Sequence, residues 1–378
     1  MTKRIFSTIA TVFSTLLLVL CLGAIATAEN AARKRVEIDG TIHVSAFDLP
    51  ESAYLSDETR AELKRQRHIA VKERKELTDA CPVSTGVSVE EMTIFRRCQA
   101  QAYYKMDAYK EIRKKYPVRM TPAEIGGVYT EVFTPAQDVA EKNKKRVLIN
   151  VHGGGFQTGS RIASHPESIP IASVGKIKVI SIDYRMAPEY TFPAASEDVA
   201  AVYRELLKEY KAENIGLYGC SAGGVLTAQS VAWFQNEGLS LPGAVGMFCG
   251  AASQAITEDV RAWVRSDGAY ITGALAGQNY EKFRNPYFKG AINSSLSAPA
   301  NYDQVMAKFP PSLLIASTRD FLLSDVITTH AQLTRLGVEA DLHIWEGLEH
   351  GFIYNPGYVE SREAFNVIVK FFDKHLGQ

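Results

Sequence analysis

The sequence has 378 residues, 46% hydrophobic and 22% charged, with 42 Lys+Arg against 42 Asp+Glu and a formal net charge of zero. Those proportions exclude a disordered, collagen-like or low-complexity chain. The balanced charge also excludes a general electrostatic attraction to nucleic acid or an anionic membrane, so neither is an expected partner.

Residues 1–28 read as a signal peptide. Lys3 and Arg4 form a basic start, an almost uninterrupted apolar run extends from Ile5 to Ile25, and Ala26 and Ala28 supply the small residues a signal peptidase accepts before Glu29. An exported protein, periplasmic or secreted, is therefore expected. The competing reading is an uncleaved N-terminal membrane anchor, because the run is long enough to span a bilayer. Cys21 fits a lipidated cysteine poorly, since Leu20 stands where a small residue belongs. Cleavage would remove two basic residues and leave a formal charge of −2. No later stretch looks membrane-spanning, so no stable membrane insertion is expected after the leader is gone.

Residues 57–79 and 90–115 carry apolar residues at helical intervals among interleaved Glu, Lys and Arg, the pattern of solvated helix faces. They belong to an N-terminal helical region, 29–125. Cys81 and Cys98 lie within it and could pair in an oxidising compartment or remain as thiols. No CxxC and no His/Cys cluster has zinc spacing, so no metal is expected.

From residue 126 to the C-terminus short apolar strands alternate with helical stretches. Val147–Val151, Val179–Ile182, Ile215–Tyr218, Ala244–Phe248 and Leu313–Ala316 are continuous apolar runs of the kind buried in parallel sheets, and Asp341–Trp345 alternates as an edge strand does. Ala194–Tyr210 and Gly223–Gln235 read as intervening helices. The pattern predicts an α/β fold, one open and mostly parallel sheet with helices on both faces.

Short motifs follow these strands. His152-Gly153-Gly154-Gly155 succeeds the first run; its glycines let backbone amides turn toward a bound acyl group, and Gly154 and Gly155 with Ala222 form a candidate oxyanion hole. No Gly-Lys-Ser/Thr follows, which disfavours a phosphate cradle. His152 is expected to support the loop. Gly219-Cys220-Ser221-Ala222-Gly223 sits between a strand and a helix, the setting of a nucleophile elbow, with no room for side chains at Gly219 and Gly223. Asp320 and His350 follow the last two strands, completing the order Ser, Asp, His. His350 would take the Ser221 proton and Asp320 would hold the imidazole tautomer. Asp325 and Asp303 are the rival acids, while Glu349 should point elsewhere.

These residues resemble the hormone-sensitive-lipase-like branch of the α/β-hydrolases. The resemblance rests on His152 to Phe156, Asp183-Tyr184-Arg185-Met186-Ala187-Pro188-Glu189, Gly219 to Gly224, Asp320-Phe321-Leu322 with Asp325, and His350-Gly351-Phe352, in that order. It implies an eight-stranded α/β-hydrolase sheet, a helical cap from the N-terminal region, and hydrolysis of short acyl esters without a cofactor. It also implies that Asp183–Glu189 is structural, with Arg185 and Glu189 as buried pairing partners. One position departs from the branch: Cys220 replaces the usual Asp before the nucleophile, so the contacts behind the elbow must differ. A redox role for Cys220 with Cys249 is the alternative to a small buried side chain.

Phe156, Tyr184 and Phe352 adjoin motifs and are the candidate substrate contacts. An insertion over 253–310, carrying Trp263, Tyr270, Tyr280, Phe283, Tyr287 and Phe288, could roof the serine together with helices from 45–120. The expected partner is a small-molecule ester. Lactone or amide hydrolysis and acyl transfer use the same residues, a non-catalytic ligand-binding protein on this fold is the rival of another class, and oligomeric state is left open.

Overall fold

The computed structural model describes residues 50–66, 88–253, 285–289 and 294–377, with the single positions 38, 81 and 291. The expected leader 1–28, and Trp263, Tyr270, Tyr280 and Phe283 of the insertion, lie outside the described residues. The chain divides into two compact units, residues 1–51 and 52–378; the architecture below is that of the second.

Helices α1 (Val89–Tyr103) and α2 (Asp107–Lys115) precede a hairpin of β1 (Val118–Ile125) and β2 (Val128–Pro135). The serine Ser88 caps α1 by accepting from the Glu91 N–H. Then β3 (Val147–Val151), α3 (Ser164–Gly175), β4 (Val179–Ile182), α4 (Ala194–Leu206), β5 (Ile215–Cys220), α5 (Ala222–Asn236) and β6 (Ala244–Phe248) alternate. After the insertion come β7 (Ser312–Arg319), α6 (Leu323–Arg335), β8 (Ala340–Glu349) and α7 (Val359–His375).

The eight strands form one sheet in the order β1-β2-β4-β3-β5-β6-β7-β8. β1/β2 and β2/β4 are antiparallel and every other pair is parallel. Strands β3 to β6 are buried along their whole length, which is why they read as predominantly apolar runs, with Asn150 in β3 and Ser181 in β4 as polar exceptions. β8 lies at the edge as its alternation predicts. The hairpin β1–β2 was not among the runs visible from periodicity. Its strands mix Thr, Glu and Arg with apolar residues, and β1 carries Pro122, which an edge strand tolerates.

Successive strand residues face opposite sides, and the core divides accordingly. Val147, Ile149 and Val151 pack with α4 and α5, around Tyr203 stacked on Phe234 at 4.3 Å. Leu148 and Tyr218 pack with Ile169 and Ala172 of α3 and Phe365, Ile368 and Phe372 of α7. The same alternation carries Asn150 to the α3 side. Cys81 and Cys98 are joined as a disulfide, with Cα atoms 5.6 Å apart.

Candidate active site

Strand β5 ends at Cys220 and helix α5 begins at Ala222, leaving Ser221 alone in the turn at φ 60° and ψ −123°. That conformation is strained for a residue with a side chain. Its N–H is anchored on the Phe248 carbonyl at 2.7 Å. A Cβ at Gly219 or Gly223 would run into the Val151 carbonyl oxygen, so only glycine permits the close approach of elbow and β3.

Ser221 Oγ lies 2.9 Å from His350 Nε2, and His350 Nδ1 lies 2.7 Å from Asp320 Oδ1. Asp320 is buried, and its Oδ1 also accepts the Leu322 N–H at 2.8 Å. The Phe321 ring packs on the imidazole at 4.2 Å. The rival acids are elsewhere. Asp325 accepts from the Ala251 and Ser253 amides at 2.8 and 3.0 Å, and burial pushes its carboxyl up to about 6. Asp303 is exposed and pairs with Arg335. Glu349 points away and accepts from the Tyr358 hydroxyl.

The amides of Gly154, Gly155 and Ala222 donate to no acceptor among the described residues. Gly154 has φ +115°, and its carbonyl accepts from Gln157 and Thr158, closing a tight turn. His152 is buried, stacked on Tyr184 at 4.3 Å, and burial holds its pKa low. It supports the loop as a neutral ring, as expected.

The three candidate substrate contacts are buried. Phe156, Tyr184 and Phe352 are 3%, 2% and 0% exposed, and packing accounts for each. Phe156 stacks on Tyr287 at 4.6 Å, Tyr184 donates its hydroxyl to the His152 carbonyl, and Phe352 packs on Trp345. Phe156 and Tyr184 belong to the core that packs on α4 and α5, and Phe352 to the core that packs on α3 and α7. Arg185 and Glu189 do not pair with each other. Arg185, with a side chain 38% exposed, binds Asp198 and Glu197, whereas Glu189 binds Arg96 of α1 at 2.6 Å.

Two residues escaped the sequence reading. Arg96 bridges α1 to the loop after the glycines through the Gln157 carbonyl at 2.6 Å and also binds the Ala187 carbonyl. Glu167 enters from the first turn of α3 behind the elbow and accepts the Cys220 N–H at 3.2 Å, supplying a carboxylate where Cys220 cannot. It is the one acid in α3, a feature that does not reveal its partners. Cys220 and Cys249 are free and buried, and burial pushes both thiols up, the direction that favours the protonated form. A cavity of about 330 Å³ opens beside Gly153 and Gly154, lined by Gln99 and Tyr103 of α1, Ala108 and Ile112 of α2, and Tyr354.

Fold and site together define an α/β-hydrolase of the esterase- and lipase-like class. Residues 148–354 match the Abhydrolase_3 family, described by its alpha/beta hydrolase fold, and the chain belongs to that family. The resemblance to the hormone-sensitive-lipase-like branch stands with that membership. Among solved structures, the chain is similar to esterase E25, with 29% identity, 89% of this chain and 99% of that one covered, and a TM-score of 0.72. It is similar in fold to an esterase from the bacterial hormone-sensitive lipase family, at 24% identity, 84% and 99% coverage and a TM-score of 0.67. An esterase/lipase from an uncultured bacterium aligns at 24% identity, 81% and 98% coverage and a TM-score of 0.64.

Proposed function

We propose that this protein hydrolyses short acyl esters through Ser221, His350 and Asp320. His350 Nε2 removes the Ser221 proton as Oγ attacks the ester carbonyl, and the resulting oxyanion rests on the amides of Gly154, Gly155 and Ala222. The tetrahedral intermediate collapses by breaking the bond to the alcohol oxygen, which takes the proton from His350. Water then repeats the sequence on the acyl-enzyme, releasing the acid and restoring Ser221. Asp320 holds the imidazole with Nε2 facing the serine and stabilises the imidazolium.

The observation that carries this reading is the continuous chain from Ser221 Oγ to His350 Nε2 at 2.9 Å and from His350 Nδ1 to Asp320 Oδ1 at 2.7 Å. The modest cavity beside Gly154 supports short acyl groups. Export behind a leader over 1–28 belongs to the same proposal, and a disulfide at Cys81–Cys98 fits an oxidising compartment.

The test is turnover of chromogenic esters of graded acyl length by wild type and Ser221→Ala, with fluorophosphonate labelling alongside. Hydrolysis favouring short chains, lost together with the label in the variant, is expected. An unlabelled wild type points to a binding protein, and hydrolysis surviving Ser221→Ala removes the nucleophile assignment.

A further inference from the structure

Behind the elbow, a single buried carboxylate gathers four donors. Glu167 is 2% exposed. Its Oε1 accepts from the Gly153 N–H at 3.2 Å and the Tyr354 hydroxyl at 2.9 Å. Its Oε2 accepts from Asn150 Nδ2 at 2.7 Å and the Cys220 N–H at 3.2 Å. Gly153 precedes Gly154 in the oxyanion loop, and Cys220 precedes Ser221 in the elbow.

We propose that Glu167 is a positioning residue for ester hydrolysis, its ionised carboxylate tying the oxyanion loop to the nucleophile elbow. The inference rests on the esterase reading. The proposed oxyanion donors come from two separate segments, Gly154 and Gly155 on one and Ala222 on the other, and both must sit about 2.7–3.1 Å from the developing charge. The carboxylate grips the residue one or two positions ahead of each, so it sets their separation. An ionised carboxylate offers about four lone-pair sites, matching the four donors. Protonation converts one oxygen to a hydroxyl, a weaker acceptor, and loosens an amide it held.

Among the described residues, the titratable groups facing Glu167 are the hydroxyls of Tyr184, Tyr218 and Tyr354 and the thiols of Cys220 and Cys249, none of them cationic. Tyr218 donates to the Glu167 carbonyl at 3.3 Å. Burial therefore wins over the four donors and lifts the carboxyl to about 7, so the grip weakens on mild acidification.

Glu167→Gln keeps the shape and mimics the uncharged form at every pH. The experiment is kcat and KM on a short chromogenic ester from pH 5.5 to 8.5 for both proteins, with thermal melts to establish folding. The expected result at pH 8.5 is a kcat lower by about 10- to 100-fold in the variant with KM nearly unchanged. The ratio of the two kcat values should shrink toward one below pH 7; the histidine's own titration cancels in that ratio. A ratio flat with pH, or an unaltered kcat, overturns the proposal. If Glu167→Gln does not fold, Tyr354→Phe removes one donor and should move the acid-side loss of kcat to higher pH, and an unmoved profile overturns it. An active wild type with a flat ratio overturns the role of Glu167 alone. A wild type that neither hydrolyses esters nor takes a fluorophosphonate overturns the esterase reading and this role with it.

Discussion

The Cys220 backbone N–H lies 3.2 Å from Glu167 Oε2, so the position ahead of Ser221 is tied to a residue 53 positions earlier in the chain. The burial of that carboxylate, only partly offset by its donors, carries a stability cost. A carboxyl raised from 4.5 to about 7 by burial means the folded chain holds its proton more tightly than the unfolded chain. Its contribution to stability is fully present below the unfolded value and is lost as pH rises through the folded one. Between about pH 4.5 and 7 the wild type should lose stability relative to Glu167→Gln, by an amount on the order of 3 kcal/mol at most. Urea unfolding of both proteins at pH 5 and pH 8 checks this, and a difference that does not change with pH rules it out.

Asp320 and Asp325, both buried, should separate under substitution. In Asp320→Asn the amide faces His350 Nδ1 and favours the wrong imidazole tautomer, so kcat should fall by about 10⁴ with little change in melting temperature. In Asp325→Asn the acceptors for the Ala251 and Ser253 amides are weakened, costing about 1–3 kcal/mol of stability while kcat stays within tenfold. Parallel measurements of kcat and thermal midpoint decide between them. A collapse of kcat in Asp325→Asn alone would exchange the two roles.

The central strands were legible because β3 to β6 are covered on both faces and are mostly apolar, with Asn150 and Ser181 the polar exceptions, each hydrogen-bonded to α3. The hairpin β1–β2 escaped because an edge strand shows water one side and can hold Pro122, Glu124 and Thr121. Ser221, Asp320 and His350 could be selected because each follows a strand in a fixed order. Glu167 could not, because its partners include backbone amides far along the chain, which periodicity does not encode. The Cys220 departure announced that something behind the elbow had to change without saying what. Adjacency to a motif in sequence does not fix where a side chain turns: Tyr184 sets its ring on His152 and its hydroxyl on the His152 carbonyl.

Arg96 is the next point of sensitivity. Its guanidinium reaches the Gln157 and Ala187 carbonyls and the Glu189 carboxylate, and its helix also carries Gln99 and Tyr103 into the cavity. Arg96→Ala would leave a partly buried Glu189 without its cation and should cost about 1–3 kcal/mol. Arg96→Lys should recover little, since a point charge cannot span three acceptors held by a planar fork. With α1 loosened, KM for short esters should rise more than kcat falls. Steady-state kinetics and urea midpoints of both variants test this, and full recovery by lysine would reduce the contact to charge alone.

Gly154 and Gly155 both have positive φ, +115° and +62°, yet they should respond differently to alanine. At Gly154 a Cβ would strike the Thr158 carbonyl, which the turn cannot move without losing the Thr158 N–H bond to the Gly154 carbonyl at 2.9 Å. At Gly155 nothing among the described residues lies within 4 Å of the added atom, and the strain is that of one left-handed residue, about 1–2 kcal/mol. Gly154→Ala should therefore displace its own amide and lower kcat by about 10²–10³, the loss typical of one oxyanion donor. Gly155→Ala should keep more of the rate and lose mainly thermal stability. Kinetics of the two variants on one short ester give the order directly. If Gly155→Ala is the more damaged, the oxyanion is held chiefly by the second amide of the loop, and the tight turn at Gly154 serves folding.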